Sequence, residues 1–211
     1  MRNLAKLAAV AAFALSAVPA LAVPIAVTSY NMQNGQAGSF TYWDDSYNGS
    51  GSTTTSLAAL SGGTGDLTDG VIATNNWFIT PAPYVGWVGI NPLISFNFGG
   101  LVTINSVTLY LDDSNGFGGV APPGSVTIGS TNYMIADPTS GAPFAFTVSG
   151  LGLTGISSLD IQLFDGAQPW VFLSEIQFDD EPVSNSIAEP MTLSLLGAGL
   201  AGIGMARRRR V

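Results

Sequence analysis

The sequence predicts an all-β protein, a single β-sandwich set between two apolar ends. Two observations predict it. Segments of alternating apolar and polar residues recur, as in Val107-Thr108-Leu109-Tyr110-Leu111 and Leu159-Asp160-Ile161-Gln162-Leu163, and each is bounded by Gly, Pro, Asn or Asp. No window of helical periodicity interrupts them between residues 23 and 181. Further segments at 25–30, 40–43, 93–98, 125–128, 132–135, 144–148 and 172–178 bring the total to roughly eight or nine short strands, which suits a two-layer sandwich. In the last of them Phe172, Ser174, Ile176 and Phe178 are expected on one face, with Leu173, Glu175 and Gln177 on the other. Residues 50–65, rich in Ser, Thr and Gly, read as a long surface loop with one helical turn at Leu57-Ala58-Ala59-Leu60. No internal repeat and no second domain is visible.

The ends read as addresses. Arg2 and Lys6 precede an apolar run from Leu7 to Val18, and Ala20-Leu21-Ala22 supplies the small residues that signal peptidase reads, so residues 1–22 are expected to be a signal peptide cut after Ala22. Its apolar run is about 12 residues, too short for the roughly 20 that a spanning helix needs. At the other end, beyond a linker at 182–187, residues 191–206 carry no charge and would give a helix of about 24 Å at 1.5 Å per residue. That is a short membrane span, and Arg207, Arg208, Arg209 and Arg210 after it are expected to stay on the cytoplasmic side. A plain single-pass anchor would look the same.

Charge narrows the partners. Between Leu7 and Ala206 there is no Lys, Arg, His or Cys, while all 14 acids lie between Asp44 and Glu189. Without its ends the chain is therefore near −14 rather than the −8 of the whole sequence. Such a body repels nucleic acid and anionic lipid and draws divalent cations as counter-charge. Ser and Cys nucleophile triads lack a base. Paired carboxylates remain for glycoside hydrolysis, but the doublets Asp44-Asp45, Asp112-Asp113 and Asp179-Asp180 are better read as solvated charge in polar loops, and the body is not expected to be an enzyme. Four Trp suit carbohydrate binding, because sugar rings stack on exposed aromatic faces. Trp77, beside Asn75 and Asn76, and Trp43, beside Asp44 and Asp45, are expected at a binding rim; Trp87 and Trp170 are expected in the core.

Two resemblances sharpen these expectations. Ala188-Glu189-Pro190, the Gly/Ala/Leu-rich segment and the terminal Arg cluster resemble the PEP-CTERM sorting signal of Gram-negative bacteria, with Ala188 in place of the first Pro. The resemblance covers 188–211 and implies export, brief retention in the inner membrane, and cleavage by an exosortase that passes the protein to the surface or an extracellular polysaccharide matrix. The body, 23–181, resembles galactose-binding-like, discoidin-type jelly rolls: "GDLTDGVIATNNWF" gives the Asp-Gly turn with a nearby Trp, "ISFNFGGLVTINSVTLYLDD" the central strands and "VFLSEIQF" the late Ser-Glu-Ile strand. That resemblance implies one structural Ca²⁺, held by carboxylates of Asp69 and Glu175, by Thr74, and by backbone carbonyls of Asp66, Val71 and Ser174. The alternative is that Asp69 caps a turn and Glu175 faces solvent. Together these readings give an exported structural, adhesive or polysaccharide-associated protein, with a dedicated carbohydrate-binding module as the alternative and a hydrolase behind it.

Overall fold

The computed structural model describes residues 24–180; the expected signal peptide, with Ala20 and Ala22 at its expected cleavage site, and the expected sorting segment from Ala188 to Arg210 lie outside the described residues. Among the described residues the chain forms eight strands: β1 (Ser29–Gln33), β2 (Ala59–Gly63), β3 (Val85–Val88), β4 (Leu93–Leu111), β5 (Ser125–Ile128), β6 (Thr131–Met134), β7 (Phe144–Phe164) and β8 (Trp170–Asp179). One 3-10 turn, Phe117–Gly119, is the sole helical element among them. No helix of these residues is long and apolar enough to cross a membrane.

The two long strands build both layers. The first part of β4 pairs β1 through Ser29↔Asn97 and the end of β7 through Leu93↔Gln162. Its last part pairs β8 through Ser106↔Asp179 and the start of β7 through Leu111↔Phe144. Between these parts the register slips at Asn97/Val102, where Gly99 sits at φ +71°, a backbone conformation that favours glycine. One layer is thus β2-β1-β4-β7-β5-β6 and the other carries β3 and β8 on the far half of β4. The inward residues follow the two-residue period on each side of a further slip at Ile104/Ser106, with Ile94, Phe96 and Ile104 before it and Val107, Leu109 and Leu111 after it all buried. The change from even to odd numbers is what the slipped register does to an alternating strand. Phe178 of β8 closes the core, its ring 5.0 Å from Phe96 and 5.2 Å from Phe98.

Several expectations are corrected. Residues 50–65 are not all loop: β2 lies within them, paired to β1 through Tyr30↔Gly63 and Met32↔Leu60, and no helical turn forms because Leu57 stands at φ +59°. Residues 40–43 are no strand, β3 was not foreseen, and 93–98 with 107–111 and 144–148 with 159–163 are joined into single long strands. The alternation expected in β8 is broken by a bulge opposite Tyr110/Leu111, so that Leu173 and Ile176, three residues apart, both enter the main core while Ser174 and Glu175 do not.

The acidic doublets are not simply solvated. Asp44, Asp112 and Asp113 are fully buried, whereas Asp45 is exposed. Asp44 accepts the Tyr30 hydroxyl and the Asp66 N–H at 2.9 Å, and its own N–H donates to Asn34 Oδ1 at 2.8 Å. Asp113 takes the N–H groups of Asn115 and Gly141 at 3.0 and 3.1 Å. In a chain without cations here, backbone N–H and hydroxyl groups supply the donors that buried carboxylates require.

Phe178→Ala is expected to lower the unfolding free energy by about 3–5 kcal/mol, the cost of emptying a large aromatic site in a closed core. Urea unfolding followed by Trp fluorescence measures it; a loss under 1 kcal/mol would mean that the two layers do not meet at this ring.

Candidate aromatic binding cleft

Trp170 and Phe172 stand two residues apart on β8, on the face opposite Val171 and Leu173, and so project away from the main core. Gly86 of β3 pairs with Phe172, and a Cβ at Gly86 would lie 2.3 Å from its ring, so the missing side chain is what lets the ring lie across β3. Over this face fold the loops carrying Tyr42, Trp77, Tyr84 and Val120, which form a second, smaller apolar cluster with Phe172.

The rings are ordered. Trp77 and Phe172 are parallel within 3° at 5.9 Å, and Phe172 and Trp170 within 15° at 5.4 Å. Tyr42 stands edge-on behind all three, nearest to Phe172 at 4.5 Å. Trp77 is held by carboxylate rather than by packing alone: its N–H donates to Asp112 Oδ2 at 2.7 Å, and Asn76 Nδ2 donates to Asp113 O at 2.8 Å and Ser114 Oγ at 2.9 Å. Burial raises the pKa of Asp112, and the bonds from Ser114, Trp77 and Asn76 act against that rise.

The result is an open cleft of about 220 Å³ between Gly38-Ser39, Tyr42, Trp77, Gly118, Val120, Trp170 and Phe172. Phe40, 46% exposed, and Phe117, 61% exposed, flank its mouth and meet Trp77 at 6.4 and 6.2 Å. No charged side chain lines it. Trp77, expected on a rim, is only 6% exposed and forms a wall, because Asn76 beside it is buried too. Trp170, expected in the core, is half-buried and lines the cleft. Trp43 is half-buried and turned elsewhere, its indole N–H donating to Ser56 Oγ at 3.3 Å. Tyr42, Phe172, Phe40 and Phe117 were not foreseen. The signal for Phe117 was present in its setting, an aromatic residue between Gly116 and Gly118, neither of which has a side chain to cover it.

The residues expected at a metal are only partly brought together. Asp69, Gly70 and Glu175 line one cleft of about 320 Å³ beside residues 24–27, and Asp66, Val71, Thr74 and Ser174 do not line it. Asp69 does cap a turn, accepting the Val71 N–H at 2.8 Å, with Gly70 at φ +83°. Glu175 does not face solvent: it is 4% exposed, and Gly70 N–H, at 3.2 Å, is its one hydrogen-bond donor among the described residues. Burial, reinforced by the Asp69 charge, pushes the Glu175 carboxyl up to about 7 against the pull of that N–H. Asp66, bonded by the Ser46 hydroxyl, is pushed up to about 6, chiefly by burial. Ser174 spends its hydroxyl on Tyr110 O at 3.3 Å and on Ala73 N–H at 3.2 Å. Among the described residues no three His, Cys, Asp or Glu side chains form a metal-ligand group.

The fold and site together define a β-sandwich whose loops build an aromatic cleft. No protein-family model matches the chain, and no curated protein matches it. Among solved structures it is similar to truncated AlyQ with CBM32 and alginate lyase domains, at 14% identity and a TM-score of 0.44 over 82% of this chain and 37% of that one. It is similar also to a fucolectin from striped bass (Morone saxatilis) serum, at 19% identity and a TM-score of 0.38 over 53% of this chain and 39% of that one. A pectin-binding carbohydrate-binding module is a third, at 12% identity and a TM-score of 0.31 over 59% and 80%. The chain thus spans well under half the length of the first two.

The raised carboxyls set a pH dependence. Between about 4.5, the ordinary value for Glu, and about 7, folded Glu175 holds a proton that the unfolded chain has released. Asp66 acts likewise between 3.8 and about 6. The folded state then binds more protons, so stability falls as pH rises through this window. With chelator present, the melting temperature is expected to drop from pH 5 to pH 8, and Glu175→Gln to flatten most of the drop above pH 6. A flat wild-type profile would place Glu175 in water.

Proposed function

We propose that the body is a carbohydrate-binding module of an exported surface or matrix protein, and that the cleft of Tyr42, Trp77, Trp170 and Phe172 is its binding site. The observation that carries the reading is the near-parallel set of Trp77, Phe172 and Trp170 at an open cleft with exposed Phe40 and Phe117 at its mouth. The aromatic area still open to solvent, on half-buried Trp170 and exposed Phe40 and Phe117, suits the C–H faces of a sugar ring, and covering it with a ligand is favourable. The cleft is smaller than the roughly 300 Å³ at which drug-sized pockets begin, so it takes one sugar residue rather than a length of chain. With no Lys, Arg or His in residues 24–180, nothing offsets the charge of a uronate or sulfate, so the glycan is a neutral one.

The ends complete the reading. Signal peptidase acts at Ala20-Leu21-Ala22, the segment at 191–206 is held transiently in the inner membrane, and an exosortase-like protease cuts near Ala188-Glu189-Pro190. The protein then passes to the cell surface or the extracellular polysaccharide matrix of a Gram-negative bacterium. A structural Ca²⁺ belongs to the same reading: the buried, singly bonded Glu175 carboxyl and the Asp69 carboxylate beside it lack any cation partner in the described chain, and oxygen ligands of this kind suit calcium. An ion there supplies a cross-link between the Asp69-Gly70 turn and β8.

Trp170→Ala is expected to weaken binding of a neutral matrix glycan at least tenfold, measured by calorimetry, with the melting temperature little changed because Trp170 is half-buried. Binding that survives this change together with Phe117→Ala would remove the cleft as the site. At pH 8, calcium at a hundredfold excess over its Kd is expected to stabilise the protein by about 2.7 kcal/mol, an effect that Glu175→Gln abolishes. A melting temperature indifferent to calcium and chelator alike would end the metal assignment. Mass spectrometry of protein released by its host is expected to show a chain beginning near Val23 and lacking Arg207 to Arg210; a released chain that keeps the arginines would overturn the sorting reading.

A further inference from the structure

The chain contains three Asn-Gly steps, Asn34-Gly35, Asn48-Gly49 and Asn115-Gly116. Each carries a latent reaction. A glycine nitrogen has no neighbouring Cβ to shield it, so it can attack the side-chain amide carbon of the asparagine before it. The attack requires that amide to turn its carbon toward the nitrogen. An amide pinned by hydrogen bonds is therefore protected, and a free one is not.

Asn34 and Asn48 are pinned. Asn34 is fully buried; its Oδ1 accepts the Gly35 and Asp44 N–H groups, both at 2.8 Å, and its Nδ2 donates to Ser52 O at 3.1 Å. The nitrogen that would attack is bonded to the amide oxygen instead. Asn48 is exposed, but Thr64 holds both ends of its amide, with its N–H on Oδ1 at 2.9 Å and its Oγ1 accepting Nδ2 at 3.1 Å. Asn115 is exposed, and its side-chain amide makes no hydrogen bond among the described residues. Gly141, where a Cβ would lie 2.5 Å from Asn115 Nδ2, leaves that amide uncovered. The Gly116 N–H donates to Val120 O at 2.9 Å, so attack follows a local opening of the turn at 114–120, and exposed turns of this kind open at the lowest cost.

We propose that Asn115-Gly116 is a site of spontaneous deamidation that remodels the mouth of the aromatic cleft; only its effect on glycan binding rests on the carbohydrate reading. The Gly116 nitrogen bonds to Asn115 Cγ and gives its proton to water, while the Cγ–Nδ2 bond breaks and Nδ2 leaves as ammonia with a proton from water. Water then opens the cyclic imide at either carbonyl, leaving an aspartyl or an isoaspartyl residue. No oxidant, reductant or enzyme is required. The turn is anchored at both ends, by Ser114 Oγ on Asn76 Nδ2 at 2.9 Å and by buried Val120, and the Phe117 N–H closes onto Ser114 O at 2.9 Å. An isoaspartyl link routes the main chain through the former side chain and lengthens it between those anchors. Phe117, stacked 6.2 Å from Trp77, and Gly118, whose Cβ would meet the Trp77 ring, are then displaced. Either product also sets a negative charge two residues from Phe117, beside a cleft with no charged lining.

The test ages the full-length protein in mildly alkaline buffer and maps its chymotryptic peptides by mass spectrometry. The mass gain of an amide-to-carboxyl change is expected at Asn115, with isoaspartate confirmed by isoaspartyl methyltransferase labelling. Asn34 and Asn48 are expected to stay unchanged until the chain is unfolded in urea, when all the Asn-Gly steps convert. Asn115→Gly, which suits a backbone at φ +47°, is expected to fold and to show no conversion at this position. In the wild type the Trp77 ring resonances are expected to shift with the same time course, and in Asn115→Gly to stay fixed. A neutral glycan that the fresh protein binds is expected to bind the aged protein at least about tenfold more weakly. No conversion at Asn115 in the folded protein, with ready conversion in urea, would overturn the site, as would equal conversion of folded Asn34 and Asn48. Conversion with unmoved Trp77 signals would overturn the link to the cleft. Fresh protein that binds no glycan would sink the carbohydrate reading alone, since the mass and NMR results decide the modification without it.

Discussion

The constraint on which the rest of this structure depends is the absence of any cation between Lys6 and Arg207. A buried carboxylate is normally kept charged by an arginine, a lysine or a metal, and here it has only neutral donors within the described chain. The fold answers by turning carboxylates into loop organisers. Asp44 gathers Tyr30 and the Asp66 N–H; Asp112 takes the Trp77 N–H; Asp113 takes the N–H groups of Asn115 and Gly141. Apart from the local Asn115 bond, these join segments 14 to 35 residues apart, so the loops are fixed largely by bonds to buried carboxylates rather than by regular structure. Burial raises the carboxyls of Asp44 and Asp112 as well, against several hydrogen bonds each, whereas Glu175 has the Gly70 N–H alone among the described residues and is pushed up to about 7.

The same constraint shapes the cleft. Its rings are positioned by charge that lies behind them, at Asp112, and not by charge that lines it. A ligand therefore meets an uncharged aromatic surface with the anionic network out of reach. The exposed Phe40 and Phe117 add apolar area beside Trp77.

What was legible in the sequence was the period of the long strands. Val107, Leu109 and Leu111, and Leu159, Ile161 and Leu163, alternate cleanly because each stretch has one face on the core throughout. β2 and β3 were hidden because Gly62, Gly63 and Gly86 give them weak intrinsic preference, and the pairing that makes them strands is supplied by β1 and β8. The bulge at Ser174 was equally hidden, since it is a relation between β8 and its partner β4 and leaves no mark on either alone. The aromatic residues were read as a resource, but not their assembly. Polar neighbours suggested that Trp77 sits at a rim, yet Asn76 is buried precisely where its amide can bond Asp113 and Ser114. Exposure of a loop residue is set by where its neighbours' hydrogen bonds end, and those partners lie about 35 residues further along the chain.

The bulge in β8 ties the two candidate sites to a single segment. Ser174 accepts the Ala73 N–H and Glu175 accepts the Gly70 N–H, so the stretch from Gly70 to Ala73 is sewn to β8 at two successive residues. Four residues after Ala73 stands Trp77, the wall of the cleft, and two residues before Ser174 stands Phe172, its parallel partner. This is the physical reason to expect a strand to give up its alternation at that point: the extra residue lets β8 present Phe172 to the cleft, Ser174 to one N–H and Glu175 to another, while Leu173 and Ile176 keep their places in the core.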